Sequence, residues 1–520
     1  MTRPGERRTI ARRGAQAVAL VGALVLSACG TRLPDEAFAP TTQVIGSDGA
    51  AVDEGSGFAP GDGEGATDPA AGRSGAGDAA AGTRGQPGAP SSAPAGGGAV
   101  GGGAGGAAGG AGAGGGGGGE ANQASDVGIT ETTIRLGNIT AENGVLGDTF
   151  APAVRGLRAW VQATNAAGGV AGRKVELFTC DDREDRSRSL ECARRLVEGD
   201  QVFALVATNS RSLGGAAQYL ADQGVPVLGF PISNSFYRYP NFFTVYGTGY
   251  ARDGKSVGVD GNIVTMTGQY RWFKEHLGVS KAAVFNYDIS ESSQAGDQFV
   301  AGLEAEGYDV TQYTVSFAAP SFDQAVADMQ QRKTDIIFDA MDDGANRRLC
   351  DSMARRGFQP KAKVSTVVVM GDSLGENYND TCRDIVHVPV EARPYSSDHP
   401  PIAAFRDAYA RYQPGLPLHQ WALEAWVMGE VTAQAIESMA AAPTRKGFID
   451  HLNTMPANDV GGIVVGMDFR PEAYDYRSPT SKDCLGIARW QGDGWTLASE
   501  FPLCYPDAKN VSTAAREQGN

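Results

Sequence analysis

Residues 165–182 read NAAGGVAGRKVELFTCDD. A helical pattern runs through residues 148–165 and stops at Gly168-Gly169, where the chain can leave the helix without a Cβ penalty. RKVELFTC then reads as a short strand, closed by Asp181-Asp182. Upstream, TIRLGNI (residues 133–139) is a strand as well. Strand, helix, Gly-rich turn and strand in this order form one βαβ unit, and the rest of the fold follows from its repetition.

Downstream, a helix at 187–198 leads to strands VFALVATN (202–209) and VPVLGFP (225–231), separated by a helix through 216–221. A second series begins at AAVFNYD (282–288). It continues through a helix at 293–306, DVTQYTVSF (309–317), a helix at 322–331, DIIFDAM (335–341), a helix at 345–356 and STVVVM (365–370). The strand interiors are nearly all apolar, as expected of parallel sheets covered by helices on both faces. The reading is therefore two doubly wound α/β lobes in tandem. Two later helices, 402–412 and 420–440, indicate that the chain returns to an earlier lobe. Open α/β sheets bind ligands beyond the carboxyl ends of their strands, so two facing lobes would converge on a cleft.

The first 30 residues have another purpose. Five arginines precede Gly14, an apolar run covers 17–26, and Leu26-Ser27-Ala28-Cys29 follows. Residues 1–28 thus form an export signal, too short in its apolar part to span a bilayer. L-S-A-C resembles a bacterial lipobox, which implies a diacylglyceryl group on Cys29 and attachment to the outer face of the cell membrane. From residue 29 to 127 the chain reads as a linker. Between residues 51 and 120, 28 of 70 residues are Gly, too little apolar surface to offset the entropy of ordering. Such a coil has a root-mean-square span of roughly 50–60 Å, enough to hold a folded body off a membrane.

The net charge of −15, with no Lys/Arg-rich stripe, excludes a nucleic-acid surface. The six cysteines after Cys29 are even in number in an exported chain, which points to disulfides. Nearest-neighbour pairing gives Cys180–Cys192, Cys350–Cys382 and Cys484–Cys504. The last pair also fits a hairpin folded at Asp493-Gly494. No C-x-x-C and no histidine near a cysteine pair points to metal, and no cofactor is expected.

Two motifs suggest other chemistry. MGDSLGE (370–376) contains G-D-S-L and fits the G-x-S-x-G of a nucleophile elbow, so a secreted serine hydrolase using Ser373 is one alternative. Its base would have to be a histidine, and the one D-x-x-H, Asp384 to His387, sits in strand-like DIVHVPV, directed away from the loop. His276, His399, His419 and His451 have no evident partner. GYARDGKS (249–256) matches a phosphate loop in letters, but VGVDG follows where a helix must begin.

The ordered set NAAGGVAGRKVEL…DD, LVEGD (196–200), FALVATNS, VPVLGFPIS, DIIFDAM, VVVMGD and WALEAWVMGEVTAQAIESM (421–439) resembles the branched-chain-amino-acid-binding branch of the type I periplasmic binding proteins. The resemblance covers residues 128 to about 455. It implies lobe 1 at 128–248 plus about 393–445, lobe 2 at 249–392 plus about 446–507, hinge crossovers between them, and a tail at 508–520. It also implies a non-enzymatic solute-binding protein that closes its two lobes over a small polar ligand, an amino acid or related compound, with a membrane permease and an ATPase as partners. A ligand-sensing protein of the same fold, without a transporter, is the second alternative.

The strand ends supply candidate ligand residues. Asn209 and Ser210 precede a helix and could meet a carboxylate with hydroxyl and N–H groups. Ser233 and Asn234 follow VPVLGFP, and Asn143 follows the first strand. By the resemblance, loops after the third and fourth strands hold an α-carboxylate, while an acidic residue of lobe 2 meets the ammonium. Asp372 is the nearest candidate, with Asp342 next and Ser373 beside it. The competing role for Ser210, Ser233 and Asp342 is helix capping.

Overall fold

In the computed structural model, the described residues are 121–247, 250, 252–471 and 473–516. The export signal 1–28, Cys29 and the Gly-rich linker through residue 120 lie outside them.

The first lobe contains β1 (Thr133–Ile139), α1 (Gly147–Ala166), β2 (Lys174–Cys180), α2 (Arg186–Arg194), β3 (Ala204–Thr208), α3 (Gly214–Asp222), β4 (Val227–Gly229) and β5 (Phe242–Thr244). All its pairings are parallel, in the order β2-β1-β3-β4-β5. Central β3 is buried along its whole length. Successive side chains point to opposite faces, so Ala204 and Val206 join the core on one side while Leu205 packs with Leu196 and Leu220 on the other.

The second lobe runs β6 (Asn262–Met266), α4 (Gly268–Leu277), β7 (Lys281–Tyr287), α5 (Ser290–Ala305), β8 (Asp309–Val315), α6 (Asp323–Arg332), β9 (Ile336–Ala340), α7 (Asp343–Arg356), β10 (Ala362–Val364), the short α8 (Leu374–Asn377) and β11 (Val386–Val390). Helices α9 (Pro400–Tyr412), α10 (Gln420–Ser438) and α11 (Arg445–Thr454) follow, then β12 (Thr480–Gln491), β13 (Gly494–Leu497) and β14 (Leu503–Ala514). Its parallel part, β8-β7-β9-β10-β11, repeats the strand order of the first lobe. Each lobe therefore has a topological switch point, between β1 and β3 and between β7 and β9. Ligands gather at such points, because the loops on either side turn to opposite faces of the sheet.

The chain returns to lobe 1 as the late helices suggest. α10 lies along α1 and β3. A Cβ on Gly156 would come within 2.1 Å of the Ala422 carbonyl, and one on Gly429 within 2.3 Å of the Trp160 ring. These two glycines let the helices touch, backbone to backbone at Gly156 and backbone to ring at Gly429.

Several expectations change. Lobe 2 is mixed: β12, β14 and β6 continue its sheet antiparallel, with β13 on β12. STVVVM is not a strand; β10 stops at Val364, and Val367–Val369 is a 3-10 turn. α11 packs on lobe 1, with Phe448 edge-on to Phe203 and Arg445 donating to the carbonyls of Val202 and Phe203, so the lobe-1 return passes residue 445. The folded body also starts before residue 128, since Gln123 N–H donates to the Ala441 carbonyl. Nor is 508–520 simply a tail, because β14 pairs Asn510–Ala514 with β6. The three disulfides join Cys180–Cys192, Cys350–Cys382 and Cys484–Cys504, with Cys484 directly opposite Cys504 in register.

Candidate ligand-binding cleft

The loops beyond the strand ends enclose a cleft of about 350 Å³ between the lobes. Lobe 1 lines it with Thr149 and Phe150 at the start of α1, the stretch Phe230-Pro231-Ile232 after β4, Tyr246 after β5 and Trp421 at the start of α10. Lobe 2 lines it from both sides of its switch point, with Tyr287 at the end of β7, Ile289 and Ser292 beyond it, and Met341 and Asp342 after β9; Thr366, Val367 and Val368 come from the loop after β10. Trp421 is the centre of the lobe-1 wall. Its ring stacks on Phe150 at 5.6 Å and 21°, and Phe230 tilts against it at 5.5 Å. Across the cleft, Tyr287 meets Phe317 edge-on at 5.1 Å. Such a wall binds by apolar burial and aromatic contact, with few polar groups to fix orientation.

The mouth is bridged. Asn234 of lobe 1 and Gln294 of lobe 2 exchange two amide hydrogen bonds, 3.1 and 3.2 Å. The end of the chain joins them: Arg516 N–H donates to Gln294 Oε1 at 2.8 Å, and its carbonyl accepts from Asn234 Nδ2 at 2.9 Å. The Arg516 guanidinium is held by Asp297 at 2.6 Å. β14 thus carries a clasp to the junction of the lobes.

Of the residues named from sequence, Asn234 and Asp342 line the cleft. Asp342 is already engaged, capping α7 through Ala345 N–H at 3.1 Å and accepting from the Tyr287 hydroxyl. The others are not on the cleft wall. Asn143 donates to Asp181 at 2.6 Å. Asn209 is buried against the Phe150 carbonyl. Ser210 donates to Asp182 at 2.6 Å and caps the turn through Ser212 N–H, and Ser233 likewise accepts from Ser235 N–H. Asp372 accepts from the Tyr395 hydroxyl at 2.8 Å and from Leu418 N–H at 3.0 Å, so its carboxylate ties loops together rather than facing a ligand. Ser373 is exposed beside it. The same segment does reach the cleft, but through Thr366–Val368.

The hydrolase and phosphate-loop motifs lack their partners. His419 lies by the G-D-S-L loop, with Nε2 on the Val368 carbonyl at 3.2 Å and Nδ1 accepting from Trp421 N–H at 3.1 Å. Neither nitrogen is left to take a proton from Ser373. His387 is buried in lobe 2 near Phe273 and Trp272, where burial lowers its pKa to about 4. In the 249–256 stretch, the described residues lead through bends into β6, not into a helix. Arg252 there is buried and bonds the Phe469 carbonyl and Asn453, fastening the hinge.

Behind the cleft, a second chamber of about 610 Å³ runs under the hinge crossovers. Pro231, Tyr237, Tyr246, Gln298, Thr366 and Val367 line both spaces, so the two adjoin across these side chains. Glu391 lines the inner chamber, and Glu424 stands behind Tyr246, whose hydroxyl donates to Glu424 Oε2 at 2.9 Å. Burial raises both carboxyls from an ordinary value of 4.5 to about 8; at Glu391 the charges of Asp483 and Glu424 add to it. The folded protein therefore holds protons there that the unfolded chain releases. Their stabilising contribution is complete below pH 4.5 and is lost as pH rises through 8. Denaturant titrations between pH 5 and 9 should show stability falling less steeply with pH in Glu424→Gln than in the parent. An unchanged slope would contradict a protonated Glu424.

Sequence reasoning missed Phe150, Tyr246, Glu391, Trp421 and Arg516. Only Trp421 carried a signal, as a large aromatic opening an apolar helix.

Comparison with known proteins places the chain. The family model described as periplasmic binding protein matches residues 133–482. Leu/Ile/Val-binding protein homolog 1 of Brucella abortus is 23% identical over 201 residues, 38% of this chain; the chain spans about half the length, 51%, of the curated relatives it matches. Among solved structures, a possible leucine/isoleucine/valine-binding protein from Rhodopirellula baltica superposes with TM-score 0.58 at 15% identity, over 71% of this chain and 96% of that one. A fatty acid ABC transporter substrate-binding protein from Thermomonospora curvata gives TM-score 0.57 at 15% identity, over 74% and 94%. With two switch-point lobes around one cleft and a family match over most of its folded body, the chain belongs to the periplasmic binding protein family.

Proposed function

We propose that this is a solute-binding protein of an ABC importer, holding a small ligand between its lobes outside the cytoplasm. The observation that carries this is the aromatic cleft at the junction of two switch points, bounded by Trp421 on one side and Thr366–Val368 on the other. Bound ligand contacts both lobes only when they are closed, so its contacts shift the population toward closure. The reading extends to a lipid on Cys29, the Gly-rich tether, and a separate permease and ATPase. It assigns the chain no catalytic step, in keeping with the engaged nitrogens of His419.

The ligand is a small compound with an apolar body. Amino acids remain in this class, as do the leucine/isoleucine/valine and fatty acid ligands named for the similar proteins. A thermal-shift screen across amino acids and other small metabolites tests this. A ligand present at 100 times its dissociation constant adds about 2.7 kcal/mol of stability. No shift across a broad library would contradict the binding function.

A further inference from the structure

We propose that the inner chamber receives the ammonium group of an amphipathic amine whose apolar body occupies the aromatic cleft. The inference rests on the solute-binding reading above and names the class of ligand.

The two spaces differ in chemistry. The outer cleft is mostly apolar, whereas the inner chamber is walled by Glu391, Asp468, Asp475 and Asp483. Three of these carboxylates have structural tasks, Asp475 among them, accepting from Arg477 N–H at 3.2 Å. Asp468 pairs with Arg470 at 2.5 Å, and Asp483 accepts from Gly268 N–H at 2.8 Å, at the start of α4. Glu391 has none, making no side-chain hydrogen bond among the described residues. Behind the shared wall, Glu424 is fully buried and its Oε1 has no hydrogen-bond partner. Lys482, the one lysine or arginine on the described wall of this chamber, is exposed to solvent. An ammonium entering here meets the Glu391 carboxyl with its acceptors unused; the ligand's positive charge favours the ionised form, so the proton held by Glu391 leaves to solvent as the charge-assisted hydrogen bond forms.

The remaining wall is aromatic. Tyr237 stands edge-on to Tyr250 at 5.3 Å, Tyr250 stacks on Tyr476 at 4.5 Å, and Tyr476 on Tyr474 at 5.6 Å. Ring faces attract cations and add to the carboxylate's pull. A carboxylate ligand meets the opposite field. In the outer cleft it would face Glu291 and Asp342, and the cation there, Arg516, is spent on Asp297. Electrostatics therefore selects the amine over the acid of the same shape.

Calorimetric titration with matched probes tests this: 2-phenylethylamine against 3-phenylpropionate, and hexylamine against heptanoate. The amines should bind at least tenfold more tightly than the acids. Glu391→Gln should weaken amine binding at least tenfold, and Glu391→Asp, which keeps an ionisable carboxyl, should weaken it less. Tighter binding of the acids would overturn the proposal, as would amine binding indifferent to Glu391→Gln. If the amines fail to bind while another compound shifts the melting temperature, the ligand class is wrong and the solute-binding function stands. If nothing in the broad screen binds either, both fall.

Discussion

Replacing Lys363 by methionine should cost about 3–5 kcal/mol of stability, the expected penalty for stranding one member of a buried ion pair. Lys363 on β10 and Asp339 on β9 are both fully buried, with Nζ 2.6 Å from Oδ2. The other carboxylate oxygen accepts from Asn346 Nδ2 at 2.8 Å and from the Ser365 hydroxyl at 3.0 Å, and Asn346 Oδ1 accepts from Lys363. Removing the lysine leaves those donors but takes away the compensating charge. The position magnifies the effect. β9 ends at Ala340, just before Met341 and Asp342 on the cleft wall, and β10 ends two residues before Thr366. The network welds together the two strand ends that shape lobe 2's side of the cleft. Urea unfolding measures the loss, and Asp339→Leu combined with Lys363→Met should recover much of it, since neither charge is then stranded. A single-variant loss below about 1 kcal/mol would mean that the pair is not held in a dry interior.

Trp421→Ala should weaken binding of a cleft ligand by about 2 kcal/mol or more, roughly 30-fold, as expected of a buried aromatic anchor at the centre of a contact surface. Trp421 is only 3% exposed, so its loss also destabilises the fold. The control is Trp272→Ala, equally buried at 4% exposure but in the lobe-2 core against Phe273 and His276. Both variants should melt earlier. Only Trp421→Ala should lose affinity by calorimetric titration, and parallel losses in the two would show that stability, not contact, governs binding.

The architecture was legible because periodicity is a local signal. β1 to β4 fall within their expected runs, while the short β5 had none, and the cysteines pair with their neighbours as spacing suggests. The site was less legible, for a physical reason. Polar residues at strand ends look like ligand groups, but Ser210 and Ser233 take the competing role and cap their turns, while Asp372 reaches Leu418 and Tyr395, contacts that a linear reading cannot see. Conversely, the cleft wall is apolar, so Trp421 and the run TVV at 366–368 look like core. The same apolarity made STVVVM resemble a strand. The Arg516 clasp was hidden for a different reason, because polar β14 gains its order only by pairing with β6 and β12.

By the proposed function, a ligand sits in the space between the lobes. The most direct measurement is a crystal structure of the protein with a compound selected by thermal shift. The ligand should lie against Trp421 and Phe150, within reach of Thr366–Val368, with Asn234 and Gln294 still bridged at the mouth. A ligand bound elsewhere, with this cleft filled only by solvent, would contradict the account.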